Sequence, residues 1–390
     1  MHINKNIILF LIVFSLLYGL VNYYIGIRGY QALSWLNPKM ARLWVVLVIV
    51  MAMSLPLGRV MAPHVRPNLA GPVIYCSSYW LAAMYYLLLI LALADVGRWV
   101  LRRSGLLPHF LKGQYSLALL GVLILVLALL IYGTWNARHP VIRNYEVNLS
   151  RKSSSLESIQ VAAVSDIHLG GIVGIDRLGQ MTDIINSLNP DLILFAGDTI
   201  DEGVDINTEM EMPAVLQTLH PRLGSFAIMG NHEYISGNAE TTSEFLARTG
   251  ITVLRDQAYE INNELYIVGR DDASRNRFDG SPRQELSAIM ATIDKNRLPV
   301  ILMDHEPSNL QESEQAGVDL QLSGHTHRGQ LFPNNYITRA VFEDDWGYWR
   351  KNNFQLIVSC GFGTWGPPIR IGNHPEILNI KINFIPEGSQ

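Results

Sequence analysis

The stretch IQVAAVSDIH, residues 159–168, joins an apolar run to a polar cluster, and the same kind of junction recurs along the second half of the chain. Short apolar, β-branched runs predict buried strands. The predicted strands are Ile159 to Val164, Leu192 to Phe195, Ser225 to Ile228, Val300 to Met303, Leu320 to Leu322 and Leu356 to Val358. Between the first two, Leu178, Met181 and Ile185 recur at helical spacing. Strands that alternate with helices predict an α/β layered domain.

Polar residues follow directly on five of these strands. The clusters are Asp166-Ile167-His168, Gly197-Asp198, Gly230-Asn231-His232-Glu233, Asp304-His305-Glu306 and Gly324-His325-Thr326-His327. In open α/β sheets, ligands bind beyond the carboxyl ends of the strands. We therefore expect the five clusters to converge on one site, where the glycines permit tight turns or a close approach of the backbone.

Each cluster alone is a weak signal, because Asp-x-His is more often a surface turn or a helix cap than a pair of ligands. Together the clusters supply two carboxylates, one Asn amide and four imidazoles, without a thiolate. Such a set suits manganese, iron or zinc better than calcium. Seven ligands exceed one tetrahedral site, so two divalent metal ions are implied. Two adjacent ions can clamp the oxygens of a displacement at phosphorus and lower the pKa of a bound water.

These five blocks, in this order, resemble the calcineurin-like metallophosphoesterase superfamily, in its membrane-anchored bacterial-type branch, over about Ser158 to Ile385. The resemblance implies a four-layer αββα sandwich, in which two mixed β-sheets pack face to face between helices. It also implies a hydrolase that cleaves phosphate esters, whether phosphomonoesters, phosphodiesters or pyrophosphates.

The resemblance assigns a role to each matching residue. Asp166, His168 and His327 would hold the first metal ion. Asn231, His305 and His325 would hold the second, and Asp198 would bridge both. His232 would contact the substrate phosphate or protonate the leaving group, so that His232 and Asp198 are the predicted catalytic residues. The alternative for His232 is a packing role alone.

Two arginines are candidate substrate contacts. Arg328 stands where the branch often has glycine after Gly-His-Thr-His, and it would either bind a second phosphate or point to solvent. Arg370 follows Gly366-Pro367-Pro368-Ile369, a further branch feature. Stabilisation of a loop is the competing interpretation for Arg370.

The first part of the chain carries four apolar segments that approach or meet the length of a membrane span. They lie at about residues 7–25, 43–57, 73–94 and 115–132, and the second ends at Pro56. They predict an all-α transmembrane bundle over residues 1–135, a linker over 136–157 and the phosphoesterase domain over 158–390. A cleaved signal peptide is the alternative for the first segment, but it has no small-residue cleavage pattern.

The basic residues between the spans favour one orientation in the cell membrane. Arg98, Arg102, Arg103 and Lys112 form the densest cluster, in the third loop. Because cytoplasmic loops carry an excess of Lys and Arg, the phosphoesterase domain is expected to be extracytoplasmic.

The net charge and the number of cysteines limit the classes of binding partner and of disulfide structure that the sequence supports. A formal net charge of -4 gives no support for nucleic-acid binding, and two cysteines make a disulfide framework unlikely. The expected partners are the lipid bilayer and a phosphoester, and no protein partner is inferable.

The leading hypothesis is hydrolysis of a lipid-linked or cell-envelope phosphoester. The alternatives are a tethered enzyme with a soluble substrate, a non-catalytic metal- or ligand-binding membrane receptor on the same fold, and a transporter, which the lack of paired charges within the spans argues against.

Overall fold

The computed structural model describes residues 5–61, 67–106, 115–201 and 206–386. The chain divides into two compact units, Met1–Gly133 and Thr134–Gln390.

The first unit is built from four long apolar helices. They are α1 (Lys5–Ser34), α2 (Pro38–Met61), α3 (Pro67–Arg103) and α4 (Tyr115–Ala137). All four are long and apolar enough to cross a bilayer, which confirms the four predicted segments and supports a membrane protein. The helix α2 continues through Pro56, where the sequence predicted its end; the neighbouring helices of a bundle make such a proline tolerable. Lys112, one of the predicted loop cations, lies outside the described residues.

The second unit contains two six-stranded mixed sheets. The first sheet has the strand order β1-β12-β2-β3-β4-β5, and the second has the order β10-β11-β9-β8-β7-β6. The strands are β1 (Val141–Ser150), β2 (Ser158–Val164), β3 (Leu192–Ala196), β4 (Ser225–Ile228), β5 (Thr252–Val253), β6 (Gln257–Ile261), β7 (Leu265–Gly269), β8 (Val300–Met303), β9 (Leu320–Ser323), β10 (Gly347–Lys351), β11 (Phe354–Val358) and β12 (Glu376–Ile385). All six predicted strands are therefore present.

The described helices of this unit are α5 (Ile175–Ser187), α6 (Ile206–Leu216), α7 (Asn231–Ile235), α8 (Ala239–Arg248), α9 (Arg275–Phe278), α10 (Leu286–Met290), α11 (Leu310–Ala316) and α12 (Asn335–Val341). Several of them cover the outer faces of the sheets. Val161 and Leu192 pack with Ile267 and Ile301 in a core between the sheets. A second core joins the first sheet to α5, α6 and α8, and a third joins the second sheet to α10 and α11. Layers of helix, sheet, sheet and helix confirm the predicted sandwich.

The segment predicted as a linker, 136–157, differs in the structure. Strand β1 pairs in parallel with β12 along its whole length, from Val141–Glu376 to Ser150–Ile385. Its side chains alternate between exposed and covered, as expected at the edge of a sheet. Because this alternation places polar residues such as Asn144 and Glu146 at every second position, the segment resembled a polar connection.

The topology brings the polar clusters to one place. Strands β2, β3 and β4 are parallel neighbours in the first sheet, and β8 and β9 are parallel neighbours in the second. Their carboxyl ends lead into all five clusters.

Candidate active site

Asp166, His168 and His327 form a buried group of potential metal ligands. Nε2 of His168 lies 3.0 Å from Nε2 of His327, and the latter nitrogen lies 3.4 Å from Oδ1 of Asp166. One ligand atom from each residue lies within 4.8 Å of the other two. Two ligand atoms that are each about 2.1 Å from one ion are separated by about 3 Å. The group therefore has the dimensions of a site for one divalent ion.

Asp198 lies between this group and His305. Its Oδ2 is 3.2 Å from Nε2 of His305 and 3.8 Å from Nε2 of His168. Asp166, Asp198 and His305 also form a group whose ligand atoms lie within 4.8 Å. Since His168 and His305 belong to different predicted ions, Asp198 occupies the position that a bridging carboxylate requires.

The remaining two predicted ligands lie on the side of His305. Nδ1 of His325 is 2.8 Å from Oδ1 of Asn231, and the rings of His305 and His325 meet edge to face with 5.3 Å between their centroids. The structure thus brings all seven predicted ligands together, while their division between two ions stays a prediction.

The hydrogen bonds of His305 fit a metal ligand. Its Nδ1 lies 2.7 Å from the carbonyl oxygen of Ala196, to which an Nδ1–H donates. The neutral ring would then carry a lone pair on Nε2, a buried nitrogen that makes no hydrogen bond with the described residues, although it lies 3.2 Å from Oδ2 of Asp198. A ring held through one nitrogen, with the other directed at neighbouring ligands, is the usual arrangement of a histidine that binds a metal. The residues present therefore fit divalent ions.

The backbone of the site adopts uncommon conformations. Five of the seven predicted ligands have positive φ angles: Asp166, His168, Asp198, His325 and His327. Such conformations cost of order 1–3 kcal/mol each and cluster at functional sites. Gly230 and Gly324 permit a close approach, because a Cβ at these positions would overlap Oδ1 of Asp198 and Oδ2 of Asp166, respectively.

His232 lies beside the predicted ligands and is 11% exposed. Its backbone N–H donates to Oδ1 of Asp198 over 2.8 Å, and its Nδ1 lies 3.0 Å from Oδ1 of Asp201. Burial lowers the pKa of His232, but the hydrogen bond to Asp201 and the charge of Asp198 outweigh burial and raise the pKa to about 9. The imidazole is therefore protonated near neutral pH and able to donate a proton. Its catalytic role remains a prediction.

The sequence analysis assigned no role to two acidic residues that support this arrangement. Asp201 contacts both His232 and Nδ1 of His168, the latter at 3.5 Å. Glu233 accepts hydrogen bonds from the backbone N–H groups of Thr199, Ile200 and Gly230. The position of Asp201, three residues after Asp198 at the same strand end, was the available signal.

The two predicted substrate arginines have different surroundings. The guanidinium of Arg328 lies 3.8 Å from the ring centroid of Trp346 and makes no hydrogen bond with the described residues. Arg370 is fully buried, and its guanidinium donates to the carbonyl oxygens of Cys360, Gly361 and Gly363. These carbonyl groups occupy its donors inside the domain, an arrangement that fits the competing interpretation of Arg370 as a loop residue, and its contact with substrate stays a prediction.

Arg370 also lies behind a predicted ligand. Its Nη2 is 3.2 Å from Nδ1 of His327. Burial lowers the pKa of His327, and the charges of His168 and Arg370 lower it further. These effects favour the neutral imidazole, which is the form that binds a metal.

Comparison of the sequence with known proteins identifies the family. Residues 159–329 match the model of the calcineurin-like phosphoesterase family. An uncharacterized metallophosphoesterase from Aquifex aeolicus is 35% identical over 62% of this chain and 91% of its own length. A transmembrane protein with metallophosphoesterase domain from Danio rerio is 30% identical over 63% of this chain, and one from Bos taurus is 28% identical over 64%. The chain spans only 58% and 59% of those two relatives. With its strand-end clusters in the family's order, the chain belongs to the calcineurin-like phosphoesterases and is a metal-dependent phosphoester hydrolase.

Proposed function

We propose that the protein is a membrane-anchored hydrolase that uses two divalent ions to cleave a lipid-linked or cell-envelope phosphoester. The observation that carries this proposal is the convergence of seven potential ligands beside His232. The four apolar helices and the transmembrane relatives support the anchor.

Each residue of the site would have a separate role in the reaction. Asp166, His168 and His327 would hold one ion, Asn231, His305 and His325 the other, and Asp198 both. When bound, the ions would neutralise phosphate charge and make a water nucleophilic near neutral pH. His232 would protonate the departing oxygen, and Asp201 orients its ring through Nδ1. Arg328, whose guanidinium makes no hydrogen bond with the described residues, would bind a further phosphate of the substrate.

The rim of the site supports a lipid-linked substrate. The ring of Trp365 lies 5.9 Å from that of His232 and is 58% exposed. On α12, Tyr336, Ile337 and Val341 are each at least 60% exposed, and Phe342, which follows this helix, contacts the ring of His325. Large apolar side chains exposed beside an active site are suited to the hydrocarbon part of a substrate. We also propose that this domain is extracytoplasmic, from the basic residues at the end of α3.

The test uses the full chain in detergent micelles, stripped of metal and resupplied with Mn²⁺. Hydrolysis of chromogenic phosphomonoesters and phosphodiesters is compared with that of a phospholipid and an isoprenoid pyrophosphate. We expect manganese-dependent turnover, higher on lipid substrates, that is lost in Asp198→Ala and His232→Ala. The variant Trp365→Ala should raise KM for the lipids alone. Equal turnover of soluble and lipid esters would contradict the proposal that the substrate is lipid-linked. The absence of turnover by folded, metal-loaded protein would contradict the proposal that the protein hydrolyses these phosphoesters.

A further inference from the structure

The last turn of α4 is anchored inside the second unit. Residues 134–137 of this helix belong to that unit, and Asn136 is fully buried. Its Nδ2 donates to the carbonyl oxygens of Arg370 and Asn373, at 2.9 and 2.7 Å. Both N–H donors of this side chain are therefore used on one loop, the one that follows β11.

The same two loop residues hold His327. Nδ2 of Asn373 donates to the carbonyl oxygen of His327 over 3.0 Å, and Nη2 of Arg370 lies 3.2 Å from Nδ1 of its ring. Asn373 Oδ1 in turn accepts from Nη1 of Arg370. Asn136 is thus separated from a predicted metal ligand by a single layer of hydrogen-bonded residues.

Arg370 also ties this layer to Asp166. Its guanidinium donates to the carbonyl oxygens of Cys360 and Gly363. The N–H of Gly363 donates to the carbonyl oxygen of Asp166 over 2.7 Å. A Cβ at Gly361 would crowd Cβ of Asp166, so this loop is in close contact with the predicted ligand. The ring and main chain of His327 and the main chain of Asp166 therefore depend on one loop.

The helix end is also fixed by Arg177. Its Nη2 and Nη1 donate to the carbonyl oxygens of Ala137 and Arg138, each at 3.0 Å, which satisfies acceptors that a helix C-terminus leaves open. The guanidinium lies over the ring of Phe362, 4.5 Å from its centroid. Residues 138–140 connect α4 to β1, so these hydrogen bonds lie directly before the first strand of the domain.

We propose that Asn136 is a positioning residue for the metal site. Through Arg370 and Asn373, this residue of the fourth candidate span holds His327 and Asp166 in place to bind one of the two ions. The proposal goes beyond hydrolysis, because it concerns ion affinity and not the substrate. Loss of a residue that supports a metal ligand typically weakens metal binding 10- to 100-fold.

The experiment measures Mn²⁺ binding to the full chain in detergent micelles by electron paramagnetic resonance, starting from metal-free protein. The variant is Asn136→Leu, which keeps the number and branching of the side-chain heavy atoms and removes its donors. The control is Asn144→Leu, the same substitution at an exposed position of β1 whose partner is Asn379. We expect Asn136→Leu to weaken one of the two ions about tenfold and to leave the other unchanged. The exchange-coupled signal of the ion pair should then appear only at higher Mn²⁺, while the control matches the parent.

A milder variant covers the case in which Asn136→Leu does not fold. Asn136→Ser keeps one donor and should weaken the same ion to a smaller extent. Unchanged affinities in the folded variants would overturn the proposal, as would an equal loss for both ions, which would indicate general destabilisation. Mn²⁺ binding by the parent protein distinguishes the two proposals. If the parent binds no ion, both the proposed function and the positioning role fail. If parent and variant bind two ions with the same affinities, only the positioning role is overturned.

Discussion

His232 and Asp201 form a partly buried pair with 3.0 Å between Nδ1 and Oδ1. The pair lies beside the predicted bridging ligand, because the backbone N–H of His232 donates to Oδ1 of Asp198. A carboxylate behind an imidazole fixes its orientation and stabilises its protonated form. If His232 is the catalytic acid, the reaction also depends on Asp201, which is not among the seven potential ligands.

The first prediction concerns the pH dependence of turnover. The pKa of His232 is raised to about 9, so the ring holds its proton below that value and loses it as pH rises through it. If the protonated ring is the acid, kcat falls along this alkaline limb. Asp201→Asn weakens the hydrogen bond that raises the pKa and should move the limb to lower pH. The pH profile of kcat measures this shift.

Asp183→Asn, at an exposed position of α5, is the matched control and should leave the limb in place. An alkaline limb that stays at the same pH in Asp201→Asn would show that His232 is not the titrating acid.

The second prediction concerns removal of metal. Ligands that bind only the folded state stabilise it, by about 2.7 kcal/mol per ion at 100 times Kd. Chelation should therefore lower the melting temperature by about 5 to 11 °C per ion for a domain of this size, and Mn²⁺ should restore it. In Asp198→Asn, which lacks the carboxylate between His168 and His305, the chelator should have a much smaller effect. Scanning calorimetry measures the melting temperature of the parent and of Asp198→Asn with and without chelator. An identical effect of the chelator on the two proteins would contradict the role of Asp198 as a shared bridging ligand.

The site and the parts around it differ in how well the sequence predicts them. Asp166, Asp198 and Asn231 follow short apolar strands directly, so local patterns were sufficient to place them at the same edge. The position of Arg370 depends on carbonyl groups from Cys360 to Gly363 that turn inward, and no local pattern reports this. Strand β1 was missed because, at the edge of a sheet, half of its side chains face solvent and are polar.

The third prediction concerns the close approach of Gly230 to Asp198. A Cβ at this position would overlap Oδ1 of Asp198, so Gly230→Ala must displace the predicted bridging carboxylate. Overpacking of this kind costs about 1–3 kcal/mol, and misplacement of a catalytic group by about 1 Å reduces turnover about 100-fold. Gly174→Ala is the control, because a Cβ there meets no atom within 4 Å and φ is -93°. Kinetic assays and metal content should change for Gly230→Ala alone; normal turnover of that variant would contradict the geometry of the site.

The last prediction concerns where a separate catalytic fragment must begin. A fragment that starts at Arg143 lacks Asn136 and the first two residues of β1, and it leaves Arg177 without the carbonyl groups of Ala137 and Arg138. Hydrogen bonds from a charged group contribute about 1.5–3 kcal/mol each, so the loss of these two is expected to cost about 3 kcal/mol. For a domain of this size, that loss corresponds to a melting temperature lower by about 6 to 12 °C. The comparison is with a fragment that starts at Thr134, where the second unit begins. Equal melting temperatures for the two fragments would mean that the end of α4 contributes nothing to the domain, since the strands from β2 onward are the same in both.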